Sequence, residues 1–192
     1  MMGLVFAALM TAQVVQPAAT EDPVVCAVDT AAQMARPWAQ FEFDTEAPGG
    51  PMALAGKGCH RAAAQISRDY LARGPLLSGR EQAITQLHMA RNLAYAGDEA
   101  AAAQAAASAR RSDQRATAEA PLDWNTYVQG LYGFLIRDRG LLDESLERLR
   151  VSTNAGDAGN GRNLGALATC FDKSYTEAMT DKACWAPAAE VD

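Results

Sequence analysis

From Ala53 onward, apolar residues recur at the three- and four-residue spacing of helices, and glycine, proline and capping residues interrupt them at intervals. Ala62, Ala63, Ile66, Tyr70 and Leu71 share one face of a helix predicted over Cys59–Arg73, which Gly74-Pro75 ends. Ser78 and Glu81 form a capping box, in which each side chain satisfies a free backbone N–H of the other. The helix they open carries Ile84, Leu87, Ala90, Leu93 and Ala94 inward and closes at Gly97. Asp98 caps the next helix, Glu99–Arg111, which is almost all alanine and loses little side-chain entropy on folding. Residues 112–121 are a polar linker. Asp123 caps the best-defined helix, with Trp124, Tyr127, Val128, Leu131, Phe134 and Leu135 on its apolar stripe. Gly130 and Gly133 interrupt this helix at roughly 1 kcal/mol each against alanine, which implies a second helix pressed against them. Gly140 is read as its end and Leu141–Val151 as the return helix. Asn154–Gly161 reads as a Gly/Asn/Asp loop, without the Gly-Lys-Ser/Thr of a phosphate loop. Asn163–Phe171 is a further short helix, and Ser174 with Glu177 opens the last one.

The N-terminal part has a different texture. Residues 1–20 carry no charged side chain, and Gly3–Ala12 is an apolar run too short to span a bilayer. Small residues at Ala12, Ala18 and Ala19 precede Glu21-Asp22-Pro23, the layout of a cleavable export signal, although no Lys or Arg opens it. The alternative is an apolar tail. Ala27–Arg36 is a short helix stopped by Pro37, and Trp38–Gly50, with alternating Phe41 and Phe43, reads as an extended arm. The expected organisation is therefore a signal over residues 1–20, an arm over 21–52, a helical-repeat domain over 53–185 and a tail over 186–192.

Composition sharpens this picture in two ways. Val and Ile are sparse after the first segment, which favours an all-α fold of stacked antiparallel helix hairpins over a sheet. The formal net charge is −6, and basic residues do not gather on one predicted face, so no nucleic-acid partner is expected. No integral membrane segment is expected beyond the signal.

Four cysteines, Cys26, Cys59, Cys170 and Cys184, suit an exported chain with two bridges. Cys170 and Cys184 flank one short helical stretch, so their pairing closes a small loop and leaves Cys26 with Cys59. Four buried thiols are the alternative. A zinc site is a poor third, because Cys-x-x-Cys is missing and the chain has two histidines.

The turns align with one another. Gly97 has Ala90 seven residues before, Leu93 four before, Ala102 five after and Ala109 twelve after. Gly140 has Gly133, Ile136, Ser145 and Ser152 in the same places, and Gly58 has Leu54, Ala63 and Tyr70. This pattern resembles the tetratricopeptide repeat, with glycine spacings of 39 and 43 in place of the family's period and without its Trp-x-x-Leu-Gly start or terminal proline. The stretches Trp124–Val128, Phe134–Arg139 and Cys170–Tyr175 also resemble an uncharacterised exported bacterial family, over most of Phe41–Cys184. That resemblance implies an exported helical-repeat protein and no activity. The repeat resemblance implies ligand-facing residues on the first helix of each hairpin, here Leu87, Arg91, Tyr95, Tyr127, Phe134 and Arg137.

Candidate chemistry is thin. Cys59-His60 is a poor nucleophile–base pair, because adjacent helical residues point apart. A disulfide at Cys59 with a surface His60 is the better reading, and His88 lies on a helix with Glu81, Gln82 and Arg91 as next-turn neighbours. Asp143, Glu144 and Glu147 form an acidic patch with Arg148 and Arg150 nearby, better suited to a solvated face than to paired acid–base carboxylates. No catalytic residue, metal site or cofactor is expected. The expectation is a non-enzymatic module of the bacterial envelope or secreted space that binds a protein or peptide. The rivals are a glycan-directed envelope hydrolase and a structural accessory subunit of a larger assembly.

Overall fold

A computed structural model describes residues 21–22, 25–46, 48–114 and 123–185. The signal expected over residues 1–20, most of the 112–121 linker and the tail lie outside the described residues. Every regular element among the described residues is a helix. They are α1 (Thr30–Met34), α2 (Trp38–Phe43), α3 (Pro51–Gly56), α4 (His60–Arg73), α5 (Gly79–Tyr95), α6 (Glu99–Ser108), α7 (Trp124–Leu135), α8 (Arg139–Arg150), α9 (Ala155–Thr169) and α10 (Tyr175–Thr180), followed by a 3-10 turn at Lys182–Trp185. None is long and apolar enough to cross a membrane.

Helices pair as hairpins, α3 with α4, α5 with α6 and α7 with α8, and each hairpin packs on the next. Each of the three turns has one residue in the left-handed region, Gly58 (φ 77°), Gly97 (φ 80°) and Arg137 (φ 60°). Their hydrogen bonds are the same. The residue after the turn donates back five residues, Cys59 N–H to Leu54 O at 2.9 Å, Asp98 to Leu93 at 2.9 Å and Asp138 to Gly133 at 2.8 Å. Positions 58, 97 and 137 are 39 and 40 residues apart, so the three turns are more evenly spaced than the glycines alone suggest. The third turn is therefore Arg137 and not Gly140, which lies inside α8. A non-glycine residue pays steric strain at this backbone position. The Arg137 side chain compensates by donating to Phe171 O at 2.7 Å and Lys173 O at 2.8 Å, pairing with Glu99 at 2.7 Å, and lying over the Phe134 ring at 4.8 Å.

Two of the sequence expectations fail for lack of distant partners. Residues 38–43 form helix α2 and not an extended arm. Its buried Phe41 stacks on Tyr70 at 3.7 Å between ring centroids, and Trp38 Nε1 donates to Thr85 Oγ1 at 3.0 Å. Residues 155–161 are the first two turns of α9 and not a loop. Asn154 caps them, and the buried Asp157 accepts from the Asp123 N–H at 2.7 Å and the Ser152 hydroxyl at 2.6 Å. Tertiary bonds here override poor local propensity. Both capping boxes, at Ser78/Glu81 and Ser174/Glu177, are formed.

The core divides in two. Phe41, Leu54, Cys59, Ile66 and Tyr70 form the smaller part under α1–α4, and the larger runs from α5 to α10. The bridges are Cys26–Cys59 and Cys170–Cys184, spanning 33 and 14 residues. Closing loops of these lengths in the unfolded chain contributes roughly 4 and 3 kcal/mol. Gly130 and Gly133 are the close approaches that α7 implies. A Cβ at Gly130 would sit 2.3 Å from Leu164 Cδ1 and 2.9 Å from Ser145 Cβ, and one at Gly133 would sit 2.9 Å from the Leu142 backbone N.

Candidate functional site

The six residues named from the repeat resemblance do converge, but not on an open surface. Leu87, Tyr127 and Phe134 are buried, Arg91 and Tyr95 are partly buried, and only Arg137 is exposed. Helix α10 roofs them. Its buried Tyr175 meets the Tyr95 ring edge-on at 5.0 Å and the Phe134 ring at 6.2 Å. The Tyr175 N–H donates to Glu99 at 2.7 Å, and Thr176 Oγ1 donates to the Tyr95 carbonyl at 3.1 Å. Beneath this roof the phenol of Tyr127 is the main influence that raises the Arg91 pKa, opposed by burial. Burial pushes the Tyr175 hydroxyl up, with Arg91 pulling the other way. Arg91 stays charged and Tyr175 protonated, so this cluster is a polar brace inside the core.

A second cluster escaped the sequence reading. Glu42 of α2 is fully buried and accepts from Thr85 Oγ1 at 2.7 Å and from His88 Nδ1 at 2.5 Å, both on α5. The His88 side chain is partly exposed. Phe43 stands edge-on to the imidazole at 6.3 Å. No periodicity links Glu42 to residues more than forty positions away, so spacing held no signal for it. The cluster locks α2 onto α5, and no metal-binding trio of His, Cys, Asp or Glu is found among the described residues. His60, on the N-terminal turn of α4, is likewise structural, with Nδ1 3.0 Å from Asn92 Oδ1 and its ring stacked on Tyr95 at 4.7 Å.

An open concavity lies elsewhere. A groove of about 980 Å³ runs between α8 and α9 and ends at the 3-10 turn. Leu146 and Leu149 of α8 and Ala158 and Ala166 of α9 contribute its apolar lining, and the half-exposed Trp185 closes one end. Arg139, Arg150 and Arg162 line it together with Asp143 and Glu147. Asp143 is taken by Arg139 at 2.8 Å and Glu147 by Arg150 at 3.7 Å. Two of the three carboxylates of the α8 patch, Asp143 and Glu147, are thus charge-paired, whereas Arg148 pairs with Asp123. Among the described residues Arg162 has no ion-pair partner.

Scans against family models, curated proteins and solved structures give no match to the chain. The groove between α8 and α9 had no signal in the sequence, because the glycines that open it read as a loop.

Proposed function

We propose that the chain is a non-enzymatic helical-hairpin interaction module, exported to an oxidising compartment, that binds a protein or peptide. The groove between α8 and α9 is the observation that carries this reading. It lies open to solvent between two helices, a setting in which helical proteins seat peptide segments. The two disulfides are compatible with an envelope or secreted location. The hairpins recurring at 39 and 40 residues support a tetratricopeptide-like stack, with its expected inner face filled by α10.

The glycan-hydrolase alternative draws no support from the carboxyls. A general acid needs a raised carboxyl pKa. Hydrogen bonds lower Glu81, Asp113, Glu177 and Asp181 instead, from Ser78, Arg111, Ser174 and Lys173 respectively.

The test is site-specific photo-cross-linking in the native cell, with the reactive side chain at Ala158 in the groove and a control at Arg68 on α4. A discrete adduct at Ala158 alone is expected. Equal labelling at both positions, or none at either, overturns the reading.

A further inference from the structure

We propose that the occupant of this groove is an acidic α-helix of a partner protein, lying along α9 on a contact face of small and carboxylate side chains. The inference rests on the interaction-module reading and names the partner's chemistry.

The shape of the last helix pair, α9 with α10, is the first argument. Helices α6 and α8, the return helices of the earlier hairpins, have 10 and 12 residues. Helix α10 has 6 and swings toward the α5–α6 turn, where Thr176 bonds to the Tyr95 carbonyl of α5 and the Tyr175 N–H to Glu99 of α6. The side of α9 that borders α8 is therefore left open. Along it Ala158, Gly161 and Gly165 recur at helical spacing and line the groove. A Cβ at Gly165 would meet nothing within 4 Å, and one at Gly161 only Leu149 Cβ at 3.8 Å. Such a surface accepts a helix at close range.

Backbone chemistry decides between a helix and an extended peptide. Both walls are helices whose N–H and C=O groups are already paired within their own turns, so an extended chain would find no ladder to join. A helix satisfies its own backbone and needs only side-chain complementarity.

Charge sets the sign. The groove carries three arginines against two carboxylates, and both carboxylates are engaged by Arg139 and Arg150. Arg162 is left to face the groove, so this part of the molecule is cationic on a chain of net charge −6. A guanidinium recognises a carboxylate by a paired, charge-assisted contact. Basic or neutral helices lack that contact.

The experiment uses the full oxidised chain and a synthetic alanine-based helix of about 15 residues, long enough to hold helical structure. The probe has glutamates four residues apart on one face. Controls are the same helix with lysines, and the glutamate peptide broken by a central proline. Fluorescence anisotropy is expected to show binding of the glutamate helix, at least about tenfold weaker for either control. Arg162→Ala is expected to weaken it by about tenfold, and raising salt from about 0.05 to 0.3 M should weaken it further. Gly165→Leu, which fills the groove, is expected to abolish binding while circular dichroism and thermal midpoint show an intact fold. Equal binding of the lysine helix or the proline-broken peptide overturns the proposed chemistry and leaves the groove reading standing. No binding of the glutamate helix, with an adduct still formed at Ala158, has the same meaning. No binding and no adduct removes both. Self-association abolished by Gly165→Leu would assign the groove to a second copy. A tenfold gain in peptide affinity on removing residues 187–192 would assign it to the chain's own tail.

Discussion

Helices α7 and α9 both carry glycine in mid-helix, where each costs about 1 kcal/mol relative to alanine, yet their surroundings are opposite. In α7, Gly130 and Gly133 are buried, and neighbouring helices press into the space where a Cβ would stand, down to 2.3 Å at Leu164 and 2.9 Å at the Leu142 backbone. In α9, Gly165 faces open space and Gly161 is met only at van der Waals distance. The first pair gives up helix propensity for close packing within the chain. The second pair gives it up with no packing in return from this chain. Contact thus explains α7 internally, whereas the open face of α9 points outward.

The largest expected effect comes from the side chain that joins the two helices. Leu164 is fully buried, and its Cδ1 fills the space over Gly130. Leu164→Ala should cost about 2–5 kcal/mol through lost transfer energy and a residual cavity. Urea unfolding of the oxidised protein measures it. A cost under about 1 kcal/mol would mean that α9 does not press on α7, and the contrast would dissolve.

Next comes Gly133→Ala. Its Cβ would meet the Leu142 backbone N at 2.9 Å and the Asp138 carbonyl at 3.1 Å, and neither can swing aside as a side-chain tip would. The gain in helix propensity is outweighed, and a net loss of about 1–3 kcal/mol is expected from overpacking. A stabilised variant in the same unfolding assay would refute the close approach.

The N-terminal half of α9 owes its helical state to one buried side chain. Asp157 accepts from the Asp123 N–H and from Ser152, tying α9 to the start of α7. Asp157→Ala leaves both donors unpaired and should cost about 1–3 kcal/mol. Hydrogen exchange should show it locally, with amides over residues 155–161 losing more protection than those of α8. Uniform loss would mean that the first turns of α9 do not depend on this anchor.

That dependence also explains which parts of the fold could be read along the chain. The hairpin turns at Gly58 and Gly97, the two capping boxes, the packing on Gly130 and the cysteine pairing are set by residues close in sequence or by simple elimination, and all were legible. Helix α2 and the start of α9 were not, because Glu42 finds Thr85 and His88, and Asp157 finds Asp123, across the fold. The third turn hid behind Arg137, whose strain is offset by contacts with Phe171, Lys173 and Glu99 that no local rule contains. Repeat logic brought the six named residues together. It could not anticipate that a six-residue α10 would turn back over them and leave the open surface beside α8 instead.

The smallest effect carries the sharpest sign. Gly165→Ala adds a methyl group where nothing lies within 4 Å, so it loses no contact and meets no clash. Alanine also restricts the unfolded chain and has the higher helix propensity, so a gain of about 0.5–1 kcal/mol is expected. For a domain of this size that raises the thermal midpoint by roughly 1–4 °C. Gly133→Ala and Gly165→Ala are the same chemical change in two helices of one core, and they are expected to move stability in opposite directions. If Gly165→Ala destabilises the isolated protein, its face is already in contact within the chain and there is no room for a partner helix. If it stabilises, this glycine has no packing role in the isolated fold, which leaves its face free for the proposed helix along α9.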